Sequence, residues 1–232
     1  MWISKGIEDP RRRLLLKALT AGFFSAGPAR LFAQSNVDAL PPGRSIHEIQ
    51  GTVFVNGKPA TDDTLIRAGD RLETGEGSRA IFAIGEDAFL LRERSRLETG
   101  GDGMMVSSLR LLAGKLLSVF GRRSHELTTP VATIGIRGTG LYVESEPDRA
   151  YVCTCYGVTF LSAADDPQST ETVESEHHDE PRYILATGDR GARIRSAPVI
   201  NHTDEELTLI EALVGREPPF GSDPPPYQRD EG

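Results

Sequence analysis

The pattern that most constrains this chain is alternation with period two, cut at short intervals by glycine. "SIHEIQGTVFVNGKPA", Ser45 to Ala60, alternates around Ile46, Ile49, Val53 and Val55 and then turns at Asn56-Gly57. Asn-Gly between alternating runs is the strongest short hairpin signal, because both residues tolerate the positive φ that such a turn needs. The same grammar runs through "LIRAGDRLETGEGSRAIFAIGEDAFLLRERSRLETGG", "SLRLLAGKLLSVFG", "LTTPVATIGIRGTGLYVES", "RAYVCTCYGVTFLSA" and "RYILATGDRGARIRS". Gly114 divides the second of these segments, and Gly138 and Gly140 divide the third. The reading is all-β, with about ten to twelve short strands and no helical spacer between them, which excludes a parallel α/β sheet. Both a twisted solenoid-like and a sandwich-like arrangement fit. The charged run Leu90 to Glu98 reads as the solvated face of a strand.

Two segments depart from the pattern. Residues 163–181 are acidic and rich in Ser and Thr, and read as a loop before final strands in 182–200. "NHTDEELTLIEALVGREPPF" reads as a helix within 201–215. Thr203 is the expected N-cap, Glu206 completes a capping box, and Asp204 to Glu206 suit the positive end of the helix dipole. Leu207, Ile210 and Val214, widened by Leu213, form its apolar stripe. The Pro-rich tail, 216–232, is expected to be disordered.

Residues 1–33 read as an address. Arg11 to Arg13 precede a modest apolar stretch, Ala18 to Ala29, and small residues lead to a cut after Ala33. "RRLLLK", Arg12 to Lys17, resembles a twin-arginine export signal, which places the mature chain in the periplasm. The apolar stretch is short of the ~20 residues that span a bilayer, so no transmembrane anchor is expected. Residues 34–45 then form a linker. Six of the 26 basic and two of the 34 acidic residues lie in 1–33, leaving 20 against 32, a balance of −12. A body this acidic is repelled by phosphate backbones, so nucleic acid is excluded as a partner.

Both cysteines of the chain, Cys153 and Cys155, stand in one expected strand. Alternation puts their side chains on one face, ~6.6–7 Å apart along the strand. That spacing suits two thiolates on one ion. It is poor for a disulfide, whose Cα atoms prefer ~5.5–6 Å. Three readings stand: buried thiols, a disulfide or redox pair, and a site for zinc, copper or iron. The metal reading takes further ligands from His177 and His178, with His202 as another option and carboxylates at Asp165, Asp166 and Asp179. A shared site would bring an imidazole nitrogen within about 5 Å of a cysteine sulfur. His47 and His125 are expected at surface or hydrogen-bonded positions. Ser124-His125-Glu126 is sequence adjacency, not triad geometry, and no Gly-x-Ser-x-Gly elbow occurs.

Several phrases resemble the FecR-domain family: Gly-x-Val early, "AGDRLETGEGSRAIFAI" (Ala68 to Ile84), "LRLLAGKLLSVF" (Leu109 to Phe120), "TTPVATIGIRGTGLYVE" (Thr128 to Glu144), then a strand ending in Tyr-Gly-Val-Thr. The resemblance covers residues 46–162 and is most specific at "RGTGLYV". It implies a periplasmic β-domain without catalysis. Membrane-bound regulators of that family carry an anti-sigma segment and a transmembrane helix. Only about ten residues precede Arg11 here, so their regulatory role is not expected to carry over. Within the motif, Gly138 and Gly140 flank Thr139 and suggest a structural corner, with Arg137 able to hold a carboxylate. The expected function is a non-enzymatic binding or scaffold module contacting an envelope protein, glycan or small ligand. The alternative is a periplasmic metal-binding or redox-linked protein.

Overall fold

The structure is a computed structural model and describes residues 38–221. The expected signal peptide, 1–33, the first part of the expected linker and most of the Pro-rich tail lie outside the described residues. Among the described residues the fold is all-β with one helix, as the alternation requires. Fourteen strands join in one open sheet: β1 (Ile46–Gln50), β2 (Val53–Val55), β3 (Lys58–Pro59), β4 (Arg71–Thr74), β5 (Arg79–Ile84), β6 (Asp87–Leu91), β7 (Arg96–Asp102), β8 (Met105–Val119), β9 (Ser124–Thr128), β10 (Ala132–Ser145), β11 (Arg149–Ala163), β12 (Asp166–Ser175), β13 (Arg182–Leu185) and β14 (Ile194–Ser196). Every pairing is antiparallel except β8 with β9. Helix α1 covers Asp204–Leu213.

Three strands are much longer than the short runs expected, because glycine bends them without ending them. The first part of β8 pairs with β7 and β9, and its last part with β6 and β10. The first part of β10 pairs with β9, and its last part with β8. The first part of β11 pairs with β13, and its last part with β12. Gly138 and Gly157 sit at two of these bends with φ of 58° and 91°. A Cβ on Gly157 would lie 2.7 Å from the carbonyl oxygen of Gly138, so the two bent strands cross where neither has a side chain.

The bends double the sheet over. Phe82, Phe89, Leu116, Leu141 and Val143 from one half share a core with Leu72, Leu97, Leu111, Ile134 and Leu161 from the other. The alternate residues of the first half, Ile81, Leu90, Leu117, Tyr142, Tyr151, Cys153 and Cys155, face outward into a second core closed by Leu207, Ile210 and Leu213 of α1. Burial on both faces explains the nearly continuous apolar runs of β5 and β6.

Two expectations need correction. Residues 166–175 are strand β12, not an acidic loop. The strand lies on the edge of β11, and three of its four buried residues are polar: Asp166, Ser169 and Ser175, beside Val173. Asp166 accepts from Ser169 Oγ and the Gly191 amide at 2.7 Å each, and Ser175 Oγ donates to Asp179 at 3.2 Å. The buried face therefore leaves no hydrophobic signature in the sequence. The run Leu90 to Glu98 is not a strand either: β6 ends at Leu91, Arg94 turns at φ 51°, and β7 begins at Arg96.

Candidate metal centre

β11 carries the cysteines to the outer core. Tyr142 pairs with Cys153 and Leu141 with Thr154, but Gly140 pairs with Tyr156. Cys155 is thus the extra residue of a β-bulge, a device that re-aims a side chain. Both thiols are fully buried and neither is in a disulfide.

His178 arrives from the turn after β12. The Asp179 carboxylate accepts from the backbone amides of Glu176 and His177 at 2.7 and 3.1 Å, which folds the turn back. Burial pushes the Asp179 carboxyl up, but these amides and Ser175 outweigh it and hold it below its ordinary range. The His178 amide then donates to the carbonyl of Cys155 at 2.9 Å. His178 itself sits at φ 56°, an uncommon conformation for a non-glycine residue and one that clusters at functional sites.

His202 arrives from the other side, one residue before the N-cap of α1. The capping box is formed: Thr203 Oγ1 accepts from the Glu206 amide, and the Glu206 carboxylate accepts from the Thr203 amide. Asn201 turns at φ 59° and donates from Nδ2 to Glu144 Oε1 at 2.7 Å. Arg92 grips the same corner, donating to the Asn201 carbonyl at 2.7 Å and to the Glu206 carboxylate at 2.8 Å. The His202 ring stacks on Tyr142 at 4.5 Å.

The four side chains meet. One ligand atom each from Cys153, Cys155, His178 and His202 lies within 4.8 Å of all the others, and all four residues are buried. Cys153 Sγ is 3.4 Å from His178 Nδ1, inside the expected 5 Å, and His178 Nδ1 is 2.9 Å from His202 Nε2. Outer contacts fix both rings. His202 Nδ1 is 2.7 Å from the Ile200 carbonyl, which can only accept, so Nδ1 carries the proton. His178 Nε2 is 3.0 Å from the Asp204 carboxylate and is likewise the protonated nitrogen. In their neutral forms both rings therefore aim a lone pair at the cluster. A carboxylate or carbonyl behind each imidazole is the usual support of a histidine metal ligand.

Charge in the cluster is organised the same way. Burial raises the Cys153 thiol, but hydrogen bonding from Cys155, His178 and His202 overrides it and brings Cys153 well below its ordinary range. Cys155 goes the other way, raised by burial and by the Cys153 charge. Burial lowers His178, yet Cys153 and Asp204 more than offset this and raise it. The arrangement shifts Cys153 toward its thiolate and His178 toward its protonated form. The linear series Cys153, His178, Asp204 also has the connectivity of a thiol triad, with Cys153 fully buried.

Of the residues expected as ligands, the structure brings Cys153, Cys155 and His178 together, with the further option His202 beside them; His177, His178 and Asp204 form a second group of neighbouring ligand atoms. His178 joins the cysteines, whereas His177 turns its Nε2 to the Asp204 carboxylate at 3.1 Å and packs 4.6 Å from Phe220. Asp204, read only as a dipole partner, supports the ring of His178. Asp166 and Asp179 serve their own turns, as described above. His125 is buried and 3.2 Å from Asp87, while His47 is exposed.

The Arg137–Gly140 motif lies at the bend of β10. Arg137 and Gly138 are exposed, and Thr139 Oγ1 donates to the Val158 carbonyl at 3.2 Å. A Cβ on Gly140 would fall 2.4 Å from the Tyr156 ring, whose hydroxyl donates to Glu211 of α1. The motif is a corner that seats Tyr156 under the helix.

No family model and no curated protein matches the chain. Among solved structures, it is similar to two crystal structures of a provisionally assigned anti-sigma factor from Parabacteroides distasonis ATCC 8503, at 1.65 and 2.50 Å resolution. They share 11% and 10% identity with it over 55% of this chain, each with a TM-score of 0.45. The chain spans 58% of the length of those proteins. Among the described residues, no helix is long and apolar enough to cross a membrane.

Proposed function

We propose that this chain is a non-catalytic, periplasmic β-module of FecR type whose C-terminal part is built around a bound zinc ion. The observation that carries this reading is the convergence of two thiols and two oriented imidazole lone pairs in one buried cluster. A tetrahedral Cys2His2 set with no open position is the structural zinc pattern, at Zn–S ~2.3 Å and Zn–N ~2.0–2.1 Å. Those bond lengths correspond to N···N separations of roughly 3.3–3.4 Å, so the two imidazoles need to part by only a few tenths of an ångström. Four mixed ligands favour zinc over copper(I), for which softer all-sulfur sets are the better match. Structural zinc contributes on the order of 10 kcal/mol in small domains.

The FecR-type assignment rests on "AGDRLETGEGSRAIFAI" and "TPVATIGIRGTGLYV", and export on the Arg12-Arg13 motif. In this reading an envelope protein, glycan or small ligand is held along the β-surface or at an unpaired strand edge such as that of β12. Metal analysis of the full chain purified from the periplasm tests the centre. About one zinc per chain, lost in Cys153→Ser, supports it. Two buried thiols with no metal in the purified protein, and no uptake on adding zinc, reject it.

A further inference from the structure

We infer that the ion acts as a latch, holding the C-terminal segment 199–221 over the outer core, so that docking of α1 depends on metal. This rests on the zinc reading above. The ligands come from separate stretches: Cys153 and Cys155 belong to the sheet, His178 to the turn after β12, and His202 to the lead-in of α1. A single ion therefore ties the C-terminal segment to the middle of β11.

The segment has little else of comparable strength. A helix of ten residues is marginal by itself. Its apolar anchors are Leu207, Ile210 and Leu213. Its polar ties include Arg92 to Glu206 at 2.8 Å, Arg216 to the Glu86 carbonyl at 2.6 Å, the Tyr156–Glu211 pair, Asn201 to Glu144 at 2.7 Å, His177 and His178 to Asp204, and the Leu40 amide to the Leu213 carbonyl at 2.9 Å. The first two are part-exposed and individually weak. Opening the segment, once the ion no longer ties it to β11, lets water reach the buried His178 and His202 rings. It also uncovers Leu90, Leu117, Tyr142 and Tyr151 on the outer face of the sheet. The inner core, enclosed between the two halves of the sheet, has no part in the latch.

Hydrogen exchange on the full chain, zinc-loaded and after removal of zinc by a chelator, tests this. The amides of Asp204–Leu213 are expected to exchange at least about tenfold faster without zinc, and tryptic cleavage after Arg216 to accelerate alongside. Protection in β5, β6 and β8 should be unchanged, and zinc should restore the helix. Those strands also report whether the stripped protein is still folded. His202→Ala, altered on the segment, and Cys153→Ser, altered on the sheet, should both reproduce the stripped pattern in the presence of zinc. If zinc is bound and removed but exchange in α1 stays the same, the latch is overturned and the metal centre stands. If zinc never binds, the metal reading itself has failed. Loss of protection throughout the sheet on stripping would also overturn the latch, since the ion would then hold the whole domain rather than one segment.

Discussion

Nδ1 of His178 and Nε2 of His202 face one another at 2.9 Å, each ring held by an acceptor behind its other nitrogen. Two lone pairs at that distance repel unless a proton or a cation lies between them. In a buried site beside two thiols, a metal ion satisfies both nitrogens and both sulfurs at once.

The ligand set is open to a direct comparison. His178→Ala and His202→Ala are expected to lower zinc content from about one ion per chain to under about a tenth of that, because a closed four-ligand site has no spare donor. His177→Ala should leave it at about one. Elemental analysis of the three variants decides between this set and one that uses both adjacent histidines. Zinc retained in His202→Ala but lost in His177→Ala would reverse the assignment.

Asp204 is expected to tune affinity without being a ligand of the ion. Its carboxylate accepts from His178 Nε2 at 3.0 Å and fixes the direction of the ring. Asp204→Asn should weaken zinc binding by about 10–100-fold while keeping one ion per chain at saturation. Competition against a chromophoric chelator measures the affinity. Asp204 is also the first residue of α1, so the variant loses roughly 0.3–1 kcal/mol of dipole stabilisation. Thermal unfolding of the zinc-free protein isolates that smaller effect. An unchanged affinity would reduce Asp204 to its helix role.

Sequence patterning reached the fold class, the C-x-C strand and α1 with its capping box, because each is written in local periodicity or in a cap. It did not reach the doubling of the sheet. Gly138 reads locally as a strand end, and only pairing on both sides shows that β10 continues. Strand β12 stayed hidden because Asp166 and Ser169 are buried by hydrogen bonding rather than by hydrophobicity. Cys153, Cys155 and His178 were expected together and His202 stood as a further option. That His202 rather than His177 meets the cysteines depends on where the bulge at Cys155 and the turn at Asp179 aim their residues, and neither is a local sequence property.

The corner glycines should separate steric from conformational cost. Gly138 has φ 58° and open space around its missing Cβ, so Gly138→Ala pays only for left-handed backbone, about 1–2 kcal/mol. Gly140 has no positive φ, but its Cβ would enter the Tyr156 ring at 2.4 Å. Gly140→Ala is expected to cost about 1–3 kcal/mol through overpacking and to disturb the Tyr156–Glu211 contact with α1. Urea unfolding gives both costs. Faster hydrogen exchange in α1 should appear in Gly140→Ala and not in Gly138→Ala. The same exchange pattern in both would remove the link between this corner and the helix.

Glu211 gives a dependence on pH with a defined sign. Burial raises its carboxyl above the ordinary value, although Tyr156 and Arg216 pull it back down. The folded chain therefore binds a proton more tightly there than the unfolded chain does. Stability from this group is fully present below the unfolded carboxyl's ordinary range and is lost as pH rises through the higher folded value. Glu211→Gln cannot ionise and lacks that decline. The stability of the variant relative to the parent should accordingly improve from mildly acid to neutral pH. Acid would also protonate the ligands of the proposed zinc centre and weaken binding there. Parent and variant are therefore compared at each pH by denaturant unfolding in excess chelator, so that the zinc term drops out. A difference between the two proteins that stays constant with pH would show that Glu211 titrates alike in both states, and a difference that moves the other way would show that Arg216 dominates over burial.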